Sequence, residues 1–362
     1  MNVFKIVCPI DGDMLNERDG VKTSNGDLII KVKVNACKGS NIKINGLAAV
    51  VTDSLYVAEV KLSQYKNVIN VTDENSGFSE NIIVYRLNKY TMKYRVSLDD
   101  NIWFLQDIAK QKDKYNSVFD NPYLGFFKSI HNTYGTKVHI NIYYKTDDGF
   151  DLTMMPDKYK SEWKENADWI RLSFHAYADK PDKPYLGCSY EKVKHDAESV
   201  IKQIRRFAGE EVLGPVTTLH WGEATVDGCL ALRDLGYKCL VADFNVDNEL
   251  ADRIPVSYYL DLDKRRNMFK RFIWKDNLRD IIFFRSAIIT DCHKLNDIET
   301  FLDNIYGNPH QSGYMDLLIH EQYFYNYYAG YQPDYKNKVI TAVKWAVDKG
   351  YKPAFLEECI FD

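Results

Sequence analysis

The feature that most constrains this chain is a change of hydrophobic period near residue 88. Before it, apolar residues recur every second position. Ile30, Val32 and Val34 fall on one face of a run whose other face carries Lys31 and Lys33, and Tyr56, Ala58, Val60 and Leu62 repeat the pattern. Val68 to Val71 and Ile82 to Tyr85 add two further short runs, and Asn45-Gly46 is a two-residue hairpin signal. A period of two puts alternate side chains on opposite faces, so residues 1–88 are expected to form a small all-β sandwich.

After residue 88 the grammar is different. Strand-like runs at Lys93 to Leu98, Lys137 to Tyr144, Trp169 to Phe174, Val216 to His220, Lys238 to Ala242, Ile281 to Phe284 and Met315 to His320 alternate with helical ones. Tyr190, Val193, Ala197, Val200, Ile201, Ile204 and Phe207 keep helical spacing, as do Val339, Val343, Ala346 and Val347. Gly350 stands where a helix C-cap belongs, and Tyr351 to Leu356 reads as a closing strand. Such alternation predicts an α/β fold over residues 89–362, a (β/α) barrel of about seven strands. A length of 362 residues agrees with two domains.

Bulk chemistry removes several function classes. The net charge is −4 with no basic block, so a nucleic-acid partner has no electrostatic support. No run approaches the roughly 20 apolar residues of a membrane span. Seven cysteines without a CxxC pair suit free thiols in a reducing compartment, and the first residues carry no signal-peptide core, so the expected location is cytoplasmic. No GxGxxG, P-loop, GxSxG or HExxH motif is present. The 26 tyrosines are numerous, and aromatic faces suit sugar rings, although most aromatics build cores.

Chemistry-bearing residues gather where the barrel runs give out into polar loops. These are Asp99-Asp100-Asn101, His175 followed by Asp179, and His320-Glu321. In a parallel α/β fold such places are the carboxyl ends of strands, where sites are built. Adjacent Asp99 and Asp100 leave a strand to opposite sides, so one can ligate an ion while the other approaches a water molecule. His175 and Asp179 are one helical turn apart and can face the same ion. Asp-Asp-Asn is also ordinary turn chemistry, and Asp179 beside Lys180-Pro181 also reads as a plain loop acid.

The order of these pieces resembles the polysaccharide deacetylase family, the NodB-homology barrels. Ser97-Leu98-Asp99-Asp100-Asn101 stands for its T-F-D-D-G strand end, and His175-Ala176-Tyr177-Ala178-Asp179 for its H-[ST]-x-x-H. Thr218-Leu219-His220-Trp221-Gly222 stands for R-P-P-Y-G, ahead of Leu235-Gly236-Tyr237, and Leu317-Leu318-Ile319-His320 for the final apolar strand ending in His. The β domain ahead of them resembles the immunoglobulin-like modules that accompany carbohydrate-active barrels.

The resemblance implies a divalent metal ion, Asp99 as catalytic base, Asp100 and His175 as ligands, and His320 as the acid that protonates the leaving group. Three positions depart from the family. Asp179 replaces a histidine, giving a ligand set of Asp100, His175 and Asp179 that is harder than the family's and shifts preference from zinc toward manganese or magnesium. Asn101 replaces glycine, which is tolerable because Asn enters left-handed backbone space. Thr218 replaces the arginine that pairs with the catalytic Asp, leaving Arg95 and Arg285 as cations available to substitute. Substrate contacts are expected from His220, Trp221, Glu321 and Tyr177. The expected activity is metal-dependent removal of an N- or O-acetyl group from a saccharide or related small substrate. Two alternatives stay open: a non-catalytic glycan-binding barrel, and a glycoside hydrolase using carboxylates among Glu223, Asp243 and Glu321. Asp291 and His293 form a further polar cluster to which the sequence assigns no role.

Overall fold

The protein is described by a computed structural model covering residues 3–246 and 256–361. It is a mixed α/β chain of two compact units, one of Met1–Thr91, Ile273–Asp280 and Cys359–Asp362, the other of Met92–Phe272 and Ile281–Glu358. Among the described residues no helix is long and apolar enough to cross a membrane.

The first unit holds two five-stranded sheets. In one, Phe4–Cys8, Leu28–Ala36, Leu55–Leu62 and Val50–Thr52 lie side by side, with Val21–Lys22 against Leu28–Ala36. The other runs Met14–Leu15, Phe78–Arg86, Lys66–Asp73, Ile42–Ile44, Leu47–Ala48. The period-two residues of both sheets, among them Ile30, Val32, Val34, Val60, Ile69, Val71 and Val84, form one buried apolar cluster. Asn45 and Gly46 both have positive φ, 47° and 78°, and join strands paired at Ile44 and Leu47, the two-residue turn their sequence signals. The segment Ile273–Asp280 belongs to this unit as well. Trp274 Nε1 donates to Asp11 O at 2.7 Å, and Lys275 N to Gly12 O at 2.9 Å.

In the second unit we label the strands β1 (Lys93–Asn101), β2 (Val138–Tyr143), β3 (Ile170–Ala176), β4 (Val216–Thr218), β5 (Cys239–Ala242), β6 (Ile281–Arg285), β7 (Ile288–Ile289), β8 (Tyr314–His320) and β9 (Lys352–Pro353). Parallel ladders group them in two sheets, β3-β2-β1-β8-β7 with β9 beside β1, and β4-β5-β6. No continuous ladder joins the two into a ring among the described residues. The strands are near-continuously buried, as parallel strands covered on both faces are.

Helices follow the strands. α1 (Trp103–Lys110) follows β1, and α2 (Tyr190–Phe207) follows β3, its N-terminus capped by the Ser189 hydroxyl. α2 buries Val193, Ala197, Val200, Ile201, Ile204 and Phe207 of the residues its spacing selects, while Tyr190 in its first turn is only half-buried. α3 (Tyr335–Asp348) ends at Gly350, whose φ of 89° lets Gly350 N reach Val347 O and Tyr351 N reach Ala346 O, a paired C-terminal cap. The strand expected over Tyr351 to Leu356 shrinks to β9. Pro353 has no N–H to donate to a ladder, and the chain turns into a short helix at Glu357.

Candidate functional site

β1 and β8 run in register so that Asp99 lies opposite His320. The ladder from β1 to β2 is interrupted between Leu98 and Asn101, and within that bulge Asp100 adopts φ 61°. Asp reaches left-handed space more readily than most residues, and a bulge re-aims a side chain. Consecutive carboxylates that a regular strand would send to opposite faces thus line one cavity of about 470 Å³. The left-handed residue is Asp100, one position earlier than expected. Asn101 is fully buried, donating from Nδ2 to Asn141 O and accepting from the Tyr123 hydroxyl.

Asp100, His175 and His220 converge. Asp100 Oδ1 lies 2.9 Å from His175 Nε2 and 3.1 Å from His220 Nδ1, and the two ring nitrogens are 3.2 Å apart. Donors sharing one ion at about 2.1 Å sit about 3.0–3.4 Å from each other, so this triangle has the dimensions of a single-ion site. His175 Nδ1 donates to Thr218 O at 2.5 Å, which fixes the tautomer leaving Nε2 toward the triangle, as outer-shell bonds to ligating histidines do. Burial alone would raise Asp100, but the hydrogen bonds of His175 and His220 hold it well below the usual carboxylate range. Burial likewise opposes the charge on His175, and the same Asp100 contact raises it nonetheless.

The third member is therefore His220, expected as a substrate contact, rather than Asp179. Asp179 is largely exposed, 3.9 Å from His220 Nε2, an ion-pair distance on the far side of that ring. The placement follows from where the residues sit. Asp179 lies in a loop beyond the end of β3, whereas His220 lies on a short 3-10 turn, His220–Gly222, directly after β4. The Tyr143 hydroxyl also enters the triangle, donating to Asp100 Oδ1 at 2.5 Å and lying 3.0 Å from His220 Nδ1.

Asp99 is buried beside the triangle. Its Oδ1 accepts from Asn141 Nδ2 at 2.7 Å, and burial raises it above the usual range against the countering charges of His175 and His320. The Asn141 amide is oriented by Thr218 N, which donates to its Oδ1 at 3.3 Å. Neither expected cation reaches Asp99. Arg95 is fully buried on Asp316 (2.6 Å) and His139 (3.0 Å), and Arg285 bonds Asp243 at 2.8 Å. A neutral amide occupies the partner position.

His320 bonds Asp291, to which the sequence assigns no role. The Nδ1 lies 3.0 and 3.1 Å from the two carboxylate oxygens, and the backbone N of His320 also donates to Asp291 Oδ1. Burial would lower this imidazole, yet Asp291, with Asp100 and Asp99 nearby, raises it to about 10. His320 is thus cationic at neutral pH, with Nε2 making no hydrogen bond among the described residues.

The other expected contacts divide. Trp221 lines the cavity and is 43% exposed. Tyr177 lies outside it, stacked on Tyr144 at 4.8 Å. Glu321 is fully buried and its carboxylate is committed to α1, accepting from Ile102 N and Phe104 N at 2.6 Å, Trp103 N at 2.9 Å and the Tyr325 hydroxyl at 2.9 Å. That is anion binding at a helix N-terminus rather than a substrate contact. Of the carboxylates available for glycoside hydrolysis, Asp243 pairs with Arg285 and Glu223 accepts from Ser257 N. Asn141, Tyr143 and Asp291 hydrogen-bond Asp99, Asp100 and His320 respectively, and none of the three stands in a motif quoted above. The first two had a signal: His139, Asn141 and Tyr143 place a polar group at every second position of a strand buried throughout.

No known family model and no curated protein matches the chain. Among solved structures it is similar to a CE4 family pseudoenzyme from Bacillus anthracis, at 8% identity over 81% of this chain and 83% of that one, with a TM-score of 0.34. It is also similar to a putative polysaccharide deacetylase from Mycobacterium smegmatis, at 9% identity over 72% and 84%, TM-score 0.41. A third is the carbohydrate deacetylase Agd3, at 10% identity over 88% and 62%, TM-score 0.36.

Proposed function

We propose that the second unit is a (β/α) barrel whose two parallel sheets are its halves, that the first is an immunoglobulin-like sandwich, and that the barrel is a metal-dependent hydrolase removing an acetyl group from a saccharide. The observation that carries this reading is the Asp100–His175–His220 triangle with Asp99 on one side and the Asp291–His320 pair on the other. Asp100 Oδ1, His175 Nε2 and His220 Nδ1 would hold the ion. One carboxylate and two imidazoles suit zinc better than the harder set expected from sequence. A bound divalent cation supplies Lewis acidity, polarising the acetyl carbonyl oxygen.

The remaining chemistry belongs to side chains. Asp99, a carboxylate raised above its usual range by burial and held by Asn141, takes a proton from the attacking water. The new bond joins the water oxygen to the acetyl carbon. When the carbon–nitrogen bond breaks, the electron pair goes to nitrogen and His320 Nε2 delivers the proton that makes it a neutral amine. Asp291 fixes the ring during both steps and stabilises its cation. Acetate and the free amine are the products; Asp99 then returns its proton to solvent and His320 takes one up from it.

A second reading, glycan binding without turnover, is favoured by the Tyr143 hydroxyl within the triangle and by the neutral partner of Asp99. Acetate release from N-acetylglucosamine oligomers in the presence of zinc separates the two. Release that is lost in Asp99→Asn supports hydrolysis. Equal background from both proteins, with glycan binding retained, supports the second reading.

A further inference from the structure

The edge of a β-sheet is a row of unpaired backbone N–H and C=O groups, and folded proteins blunt it with a bulge, a proline or a lysine. The first unit does so at one edge of the sheet that holds Leu28–Ala36. There Phe4–Cys8 carries Lys5, its ladder is interrupted by a bulge between Ile6 and Cys8, and Pro9 follows. The opposite edge, Val50–Thr52, has none of these. From Gly46 to Thr52 the chain contains no charged residue and no proline, and Leu47, Val50 and Val51 are 55%, 65% and 65% exposed. An exposed, uncharged, valine-rich edge is a template for pairing with another strand.

This edge is also held ready. Asp53 and Ser54, with φ of 52° and 66°, make the two-residue turn that closes the ladder at Thr52 and Leu55. In such a hairpin the closing pair exchanges both hydrogen bonds and the next pair none. Val51 therefore turns its N–H and C=O away from Leu55–Leu62 and toward the open edge. Beside it runs a groove of about 630 Å³ with an apolar lining from Leu47, Val50, Leu55 and Val57. Lys31, Lys33, Asp53 and Glu59 line the same groove, all exposed, and none of the four forms an ion pair among the described residues. A partner of one sign would be repelled by half of these charges. A second groove of the same composition, turned by a two-fold axis, sets the cations of each against the anions of the other.

We propose that the Val50–Thr52 edge pairs with the same edge of a second copy of this chain, antiparallel about Val51, so that the first unit is a two-fold dimerisation module. The pairing occupies the open edge of both chains and so closes at two. A three-residue edge buries little area, and the dimer is transient, with a Kd on the order of 10 μM. The inference is independent of any activity of the second unit.

The test is sedimentation velocity of the full chain from about 1 to about 200 μM, a range that brackets that Kd. The wild type should pass from monomer to dimer across it. Val51→Pro, which removes the outward N–H at an edge position that tolerates proline, should raise Kd at least about tenfold. Two charge variants act on exposed side chains alone: Lys31→Glu with Lys33→Glu, and Asp53→Asn with Glu59→Lys, where Asn keeps the left-handed turn. Each should stay monomeric by itself, and the two should form a one-to-one dimer when mixed. Calorimetric unfolding at the wild-type temperature shows that a variant has lost the contact and not the fold; should Val51→Pro unfold, the charge variants decide alone. A wild type monomeric throughout the range overturns the proposal. So does a folded Val51→Pro, or either charge variant alone, that dimerises as the wild type does. Charge variants that remain monomeric after mixing overturn it as well.

Discussion

Replacing Asp291 by Asn should change how His320 titrates, and by an amount the pair's geometry sets. His320 rises from an ordinary 6.5 to about 10, burial opposing the charge and Asp291 overcoming it at 3.0 Å. At about 1.4 kcal/mol per pH unit, that rise is worth about 5 kcal/mol. The His320 side chain is 24% exposed, so solvent screening reduces the figure to about 3 kcal/mol. The direction follows from proton counting. Between 6.5 and about 10 the folded state holds a proton that the unfolded state has released, so stability falls as pH rises across that window. Below 6.5 the contribution is fully present. In chelator-treated protein, Asp291→Asn should bring the His320 ring titration down by at least two pH units by NMR, the signal identified by its absence in His320→Gln. Urea denaturation should show the wild type losing about 3 kcal/mol between pH 6.5 and 10, and the variant losing much less. A wild-type His320 titrating near 6.5, or an unchanged titration in the variant, would refute the pairing as the cause.

Three further outcomes are expected. Glu321→Gln replaces one acceptor oxygen of the α1 cap by an NH₂ group facing backbone donors and should cost about 3 kcal/mol, lowering Tm by about 6–12 °C by calorimetry; an unchanged Tm refutes the cap. Asn141→Leu removes the hydrogen bond to Asp99 and should lower kcat for acetate release about 10- to 100-fold with zinc stoichiometry preserved, whereas an unaltered kcat would show that Asp99 needs no partner. Gly12→Ala puts a Cβ 1.9 Å from Lys275 O at a φ of 85° and should destabilise the first unit by more than about 2 kcal/mol in urea denaturation. A change below about 0.5 kcal/mol would count against the return of Ile273–Asp280 onto residues 11 and 12.

Local rules carried much of this structure. The Asn45-Gly46 turn, the buried stripe of α2 and the glycine cap after α3 each depend on residues within one or two turns, and each was legible from spacing alone. The end of β8 at His320 was legible too, whereas β1 and β3 run on past Leu98 and Phe174 to Asn101 and Ala176, so that Asp99, Asp100 and His175 lie within strands. What the sequence hid was long-range. Asp179 and His220 are both polar groups after strand-like runs, and only the path of the loop after β3 decides which one faces Asp100. Asp291 meets His320 across 29 positions, and Asn141 meets Asp99 across 42. Nothing local to Glu321 shows that its carboxylate faces the start of a helix more than two hundred residues earlier. Nor does any period in Ile273–Asp280 distinguish a segment that packs with residues 1–91.

The central claim is that His220, with Asp100 and His175, makes the ion site. Calorimetric zinc titration of wild-type, His220→Ala and Asp179→Asn proteins tests it most directly. The account predicts one zinc per wild-type chain, none for His220→Ala, and one for Asp179→Asn with affinity reduced about tenfold, as for an outer partner of a ligating histidine. One zinc per chain in His220→Ala with none in Asp179→Asn, or no zinc bound by the wild type, would contradict it.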